Sequence, residues 1–178
     1  ADIFTFAKGM ASGYMPVAAT VVKEKIFEAF YGEANELKHF RHVNTYGGHP
    51  VATAVSLKNI EIVQRENLAE NAAKMEAYIK GRLNEFSDHP YVGEIRGKGL
   101  LLGIELVSDK EKKTPLEMAQ ANAIVQNCLK QGVSIMRNGN TVPGLGNVII
   151  MAPPLIIQES EADQIVDAIG NALKQALN

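Results

Sequence analysis

The sequence has one cysteine, no cluster of basic residues and no apolar run long enough to cross a bilayer. Each shortage removes a class of function. A lone Cys128 excludes an internal disulfide and fits a reducing compartment. Cys128 shares one helical stripe with Ala121, Ile124 and Val125, which reads as an inert core thiol. The formal net charge is -2, from 18 Lys+Arg against 20 Asp+Glu. Such a balance leaves no surface of the kind that grips nucleic acid or an anionic membrane. No stretch approaches the ~18 apolar residues of a spanning helix, and no signal peptide is visible. The expectation is a cytoplasmic globular protein with neither nucleic-acid nor membrane partners.

What is present is ordinary in bulk: 178 residues, 46% of them hydrophobic, enough for one domain or one domain plus a remnant of another. The chain opens Ala-Asp-Ile-Phe, without Met and already on a strand-like pattern, so a piece of a longer polypeptide is expected. Residues 2–7 and 17–22 read as short buried strands joined by a Gly-Tyr-Met-Pro turn. A helix is expected over 23–30, a polar loop over 31–42, and a helix over 51–65 with Pro50 at its first turn. Apolar residues Leu68, Ala72, Met75, Ile79, Leu83 and Phe86 recur at gaps of three and four, the mark of an amphipathic helix over 67–86. Two strands, 91–96 and 100–107, flank "GKG" as a hairpin. A helix over 116–131 stops at Gly132. Strands at 133–137 and 147–151 and a last helix, capped at Ser160, complete the order. Residues 67–178 can bury a core of their own, whereas the first 48 enclose too little.

Three places could carry chemistry. "FTFAKGMASG" (residues 4–13) puts Lys8 at the tip of a strand, ahead of a glycine. Lysine is mostly exposed, so residue type alone reads as a solvated strand cap. The sharper reading is a Schiff-base lysine on a rigid strand, with Gly9 leaving room for a flat ring beside the amine. In "NTYGGHP" (44–50), the Thr45 hydroxyl and the amides ahead of a helix N-terminus suit a phosphate, though a self-capped turn explains the same residues. His49 has no partnered nucleophile and reads as a loop histidine; His39, His42 and His89 lack metal-ligand spacing. Arg137 ends "GVSIMR", where an arginine can grip a carboxylate with two prongs. A surface ion pair is the plainer account, and Arg96 competes for the same role.

Four blocks in order, "DIFTFAKGMASGYMPVAA", "NTYGGHPVATA", "GEIRGKGLLLGIEL" and "MAPPLII", resemble the second half of the class III aminotransferases. The likeness covers essentially the whole chain and leans toward the omega-amino acid:pyruvate branch. It implies an α/β protein of the pyridoxal 5'-phosphate-dependent transferase fold type I. Residues 1–48 would be a remnant of the large cofactor-binding domain, 49–66 a connecting helix, and 67–178 an α+β small domain with a mostly antiparallel sheet. By the same resemblance Lys8 bonds the cofactor aldehyde and shuttles the proton. Thr45 reaches the cofactor phosphate of the neighbouring subunit, and Arg137 is a mobile arginine that pairs with the substrate carboxylate. The substrates implied are small amines and keto acids, the assembly a homodimer of the intact protein, and no metal is implied. The family's cofactor-binding half would lie upstream, leaving this piece alone inactive. A stable, non-catalytic C-terminal domain fragment, or a racemase or mutase of the same fold, are the alternatives. Residues 138–147 are longer and richer in glycine than the family pattern, which bears on where Arg137 lies and on substrate choice.

Overall fold

The computed structural model describes residues 1–139, 142 and 144–176, and the chain divides into two compact units, Ala1–Glu66 and Asn67–Asn178. In the first unit, β1 (Ile3–Phe6) pairs antiparallel with β2 (Ala19–Val22), Ile3 opposite Val22 and Phe6 opposite Ala19. A short α1 (Glu24–Glu28) and a single 3-10 turn at Ala34–Glu36 follow. Then comes α2 (Pro50–Arg65), with the proline at its first turn, where the missing N–H costs no helical hydrogen bond. The strand pattern of residues 3–6 is borne out, but its burial is not. Every residue of β1 is exposed, Phe4 at 46% and Phe6 at 48%. Among the described residues β1 has β2 as its only strand partner, and a two-stranded ladder cannot enclose its own faces. The buried residues of this unit are small: Ala11, Ala52 and Ser56.

The second unit is built on an antiparallel sheet of order β3-β4-β7-β6, with β5 paired to β4. The strands are β3 (Val92–Lys98), β4 (Leu101–Asp109), β5 (Thr114–Pro115), β6 (Met136–Arg137) and β7 (Val148–Met151). Three helices accompany it: α3 (Leu68–Leu83), α4 (Met118–Lys130) and α5 (Glu159–Gln175). β4 alternates, with Leu102, Ile104 and Leu106 buried while Leu101 faces solvent. These side chains join Met75, Ile79 and Leu83 of α3, Ile124 and Cys128 of α4, and Val166, Ile169 and Leu173 of α5 in one core. Fully burying an aliphatic side chain contributes about 1.5–3 kcal/mol, so this layer dominates the unit's stability. Burial pushes the Cys128 thiol up to about 11, and its Sγ faces the Ala168 carbonyl oxygen at 3.6 Å. The expected inert core thiol is found there.

Two local expectations change. Residues 133–137 give only the two-residue β6. The last helix is capped at Gln158, not Ser160: Gln158 and Glu161 form a reciprocal capping box, and Ser160 falls inside the first turn. Among the described residues, no helix is long and apolar enough to cross a membrane.

The β3–β4 turn is tied to α3 by one carboxylate. Glu76 accepts hydrogen bonds from the Gly99 amide (2.6 Å) and from Lys80 Nζ (2.9 Å), and Lys80 also donates to the Gly97 carbonyl (2.6 Å). The Lys80 bond first, then the Gly99 amide, with help from Lys98, hold the Glu76 carboxyl down to about 2 from its ordinary 4.5. A carboxylate whose pKa falls on folding stabilises the native state above its unfolded value and stops doing so as pH drops through the folded value. Glu76→Gln is therefore expected to lower stability at neutral pH, with the gap to the unsubstituted protein closing between 4.5 and about 2; chemical denaturation across that range checks it. Two helical glycines make a contrasting pair. A Cβ at Gly170 would lie 2.4 Å from the Phe86 ring, whereas one at Gly81 meets nothing within 4 Å. Gly170→Ala is expected to cost about 1–3 kcal/mol through overpacking. Gly81→Ala is expected to gain about 0.5–1 kcal/mol through helix propensity, and denaturant midpoints separate the two.

Candidate active site

Lys8 comes one residue after β1, past Ala7, and begins a run of tight turns. The Ala7 carbonyl accepts from the Met10 amide (3.1 Å), Lys8 from Ala11 (3.2 Å), Gly9 from Ser12 (3.3 Å) and Ala11 from Tyr14 (3.0 Å). The backbone of Lys8 is left-handed, with φ at 49°, while its neighbour Gly9 is not among the positive-φ residues. That inverts the usual assignment. A left-handed position normally takes glycine, because a Cβ there is strained. Position 8 keeps a side chain in a costly backbone, and position 9 gives one up where the backbone does not demand it. A Cβ at Gly9 would meet nothing within 4 Å, so that side of the turn is open to an outside group. Strain of this sort clusters at functional sites. The Lys8 residue is itself exposed; the described residues of its unit leave it uncovered.

Thr45 lies in an exposed turn ahead of α2. The Gly47 amide closes on the Asn44 carbonyl (3.0 Å), and the His49 amide on Tyr46 (3.1 Å), with Gly48 at φ 68°. Among the described residues the Thr45 hydroxyl has no hydrogen-bond partner, and the Tyr46 and Gly48 amides donate to nothing. That donor set suits a phosphate at a helix N-terminus. His49 is the N-cap residue of α2; its carbonyl accepts from the Thr53 amide (3.0 Å), and its Nδ1 is buried without a partner among the described residues. His89 Nδ1 accepts from the Tyr91 amide (3.2 Å), and burial pushes the ring's pKa down. Among the described residues no three His, Cys, Asp or Glu side chains could share a metal ion.

Arg137 is placed in the second unit, at the end of β6. Its guanidinium is already engaged: Nε donates to Asn122 Oδ1 (2.8 Å), and Nη1 to the carbonyls of Asn138 (2.9 Å) and Gly146 (2.7 Å). A Cβ at Gly146 would crowd Nη1, so a side chain there would oblige the end of Arg137 to shift. Asn138 completes the closure. Its Nδ2 donates to the Leu145 carbonyl (2.6 Å), and its Oδ1 accepts from the Val148 amide (2.9 Å). Together they shut the neck of the 138–147 loop, whose residues 140, 141 and 143 lie outside those described. Nη2 has no partner among the described residues. The competitor Arg96 is spent on the sheet, where Nη1 pairs with Glu94 and Glu105.

The sequence spacing brought out Lys8, Thr45 and Arg137 but missed three residues that hold them. Asn122 and Asn138 fasten Arg137, and Asn59 of α2 donates to the carbonyls of Gly9 (2.9 Å) and Met10 (3.2 Å) in the Lys8 turn. Asn59 left one readable trace: it follows Ala52 and Ser56 along the buried stripe of α2, where a polar side chain needs a partner.

The amine at Lys8 is of the kind that bonds an aldehyde, and the hydroxyl and amides at 45–48 are of the kind that hold a phosphate, the two reactive groups of pyridoxal 5'-phosphate. Comparison with known proteins bears on the family. The family model for class III aminotransferases matches residues 1–173. An uncharacterized aminotransferase of Bacillus subtilis (strain 168), YhxA, is 47% identical over 168 residues, 94% of this chain and 37% of that protein. A taurine–pyruvate aminotransferase of Bilophila wadsworthia is 41% identical over 173 residues, 96% of this chain and 38% of its own length. A crystal structure of a Bacillus anthracis aminotransferase superposes with a TM-score of 0.92 at 45% identity, covering 98% of this chain and 39% of that one. The chain thus spans about two fifths of the length of these relatives. Across nearly all of its own length, from the strand that leads into Lys8 to the last helix, this chain belongs to the class III aminotransferases, a family dependent on pyridoxal 5'-phosphate.

Proposed function

We propose that the intact protein to which this chain belongs is an aminotransferase that moves an amino group from an amine or omega-amino acid to a keto acid such as pyruvate. The observation that carries this reading is Lys8, a non-glycine residue kept in left-handed backbone one residue past a strand, beside a glycine with open space over it. The taurine–pyruvate relatives favour an omega-type amine donor and pyruvate as acceptor. Bound pyridoxal phosphate supplies an aldehyde and a ring that draws off the electron pair left when the amine-bearing carbon loses its proton.

The residues of this chain do the rest. Lys8 Nζ would hold the cofactor through its aldehyde carbon, with loss of water, and, once the substrate amine has displaced it, would take and return the proton as general base and acid. The Thr45 hydroxyl and the amides at 46 and 48 donate to a phosphate, that of a neighbouring subunit in the homodimer. Arg137 offers Nη2 to the carboxylate of the keto acid as a charge-assisted donor. The chain by itself is proposed to be inactive, since β1 and β2 are left uncovered and Lys8 stands exposed. A cytoplasmic location is part of the proposal, supported by the lone and buried Cys128 of this chain.

Borohydride reduction of the full-length protein with pyridoxal phosphate, followed by mass spectrometry, is expected to find the label on Lys8. Lys8→Ala is expected to cut turnover by about a thousandfold or more; near-normal turnover, or label on another lysine, would remove Lys8 from the reaction. Amine-dependent formation of a keto product separates a transaminase from a racemase or mutase. Arg137→Ala is expected to raise KM for keto acids by about 10- to 100-fold, the loss of one charge-assisted hydrogen bond, with little change for simple amines. Equal losses for both substrates would point to the loop neck alone.

A further inference from the structure

The turn that presents Lys8 does not hold itself in place. Its carbonyls at Ala7, Lys8, Gly9 and Ala11 accept ordinary tight-turn hydrogen bonds, yet Lys8 (φ 49°), Ser12 (φ 51°) and Gly13 (φ 79°) all lie in left-handed backbone. Two of these are not glycine, and each would relax toward the right-handed region unless its surroundings prevented it. The restraint comes from α2. Asn59 Nδ2 reaches the Gly9 carbonyl at 2.9 Å and the Met10 carbonyl at 3.2 Å, 50 and 49 residues back along the chain. One side-chain amide has two N–H donors, and both go to consecutive carbonyls immediately after Lys8. Asparagine is a poor residue for a helix interior, so its place in the middle of α2 is explained by what it holds outside the helix. The stripe below it is small, Ala52 and Ser56, both buried, and Ala11 in the turn is fully buried.

The geometry points to Asn59 as the positioning residue for the Lys8 amine: its side-chain amide clamps the Gly9 and Met10 carbonyls and so keeps the Lys8 backbone left-handed. This rests on the reading of Lys8 as the cofactor-bonding lysine. An amine that must bond an aldehyde, leave it and return cannot be aimed by a permanent contact of its own. Its direction has to come from the backbone, and relaxation of φ at position 8 would swing the Cα–Cβ bond away. Asn59 touches neither substrate nor cofactor in this account; it acts through the turn.

The test uses the full-length protein, stripped of cofactor, with Asn59→Leu, which keeps the approximate shape and removes both donors, and Asn59→Gln, which keeps the amide. Three quantities are read: the rate at which Lys8 captures pyridoxal phosphate, trapped with borohydride and located by mass spectrometry; the pH titration of the bound cofactor's visible absorbance; and the thermal midpoint. Asn59→Leu is expected to slow capture by about tenfold or more and to displace the titration, with Asn59→Gln recovering part of both. Capture and titration unchanged in Asn59→Leu, with only a lowered midpoint, would make Asn59 a plain packing residue and overturn the inference. Should Asn59→Leu lose its cooperative thermal transition, Asn59→Asp, of equal size but without the donors, takes its place with the same expected outcomes. Label on a different lysine in the unsubstituted protein would remove the proposed function and this inference with it. Label on Lys8 with unaltered variants removes the inference alone.

Discussion

A lysine in left-handed backbone is the constraint around which the first unit is arranged. Holding a Cβ at φ 49° costs free energy of order 1 kcal/mol or more, and that strain persists only where several contacts agree on it. Here they are the tight-turn hydrogen bonds after β1 and the Asn59 amide arriving from α2. The helix in turn depends on Pro50 at its start and on the small buried stripe of Ala52 and Ser56, which lets another piece of backbone come close. Sequence, helix, turn and amine are thus one chain of cause, and each link can be broken separately by a side-chain change.

The second unit is stabilised by different physics. Its sheet buries one face in a shared aliphatic core, and the polar groups that matter sit at the margins of that core. Glu76 fastens the β3–β4 turn to α3, Asn147 donates to the Leu106 carbonyl at 2.6 Å, and Tyr78 and Arg82 of α3 meet Asp163 of α5. Each is a hydrogen bond between elements distant in sequence, and that of Asn147 satisfies a side chain that would otherwise be buried unpaired. Exposed pairs such as Lys58 with Glu61 are solvated on both sides and contribute little.

Which of this could be read in advance follows from how far apart the determinants lie. α2 and α3 were legible because Pro50 and the apolar spacing from Leu68 to Leu83 are local signals. The β3–β4 hairpin was legible in "GKG", and the end of α4 in Gly132, whose φ is 82°. The start of α5 was misplaced by two residues because Gln158 with Glu161 makes the same reciprocal cap that serine usually begins. β1 was right as a strand and wrong in burial, since alternation and apolarity describe what a strand can pack against and not whether a partner is in place. Lys8, Thr45 and Arg137 were visible through residue type and the family resemblance. The left-handed φ at Lys8, the reach of Asn59 and the three hydrogen bonds that engage Arg137 were not, because they join residues that no spacing rule connects.

The closure around Arg137 has a consequence for how this molecule can change over generations. The guanidinium and Asn138 hold the neck by main-chain carbonyls and amides at Asn138, Leu145, Gly146 and Val148. Because the groups at Leu145, Gly146 and Val148 are backbone atoms, exchanges of the side chains at 145 and 148 leave these bonds possible, whereas loss of the amide at 138 or the guanidinium at 137 removes them. The neck is thus written in two side chains, and a side chain at position 146 would oblige the end of Arg137 to shift.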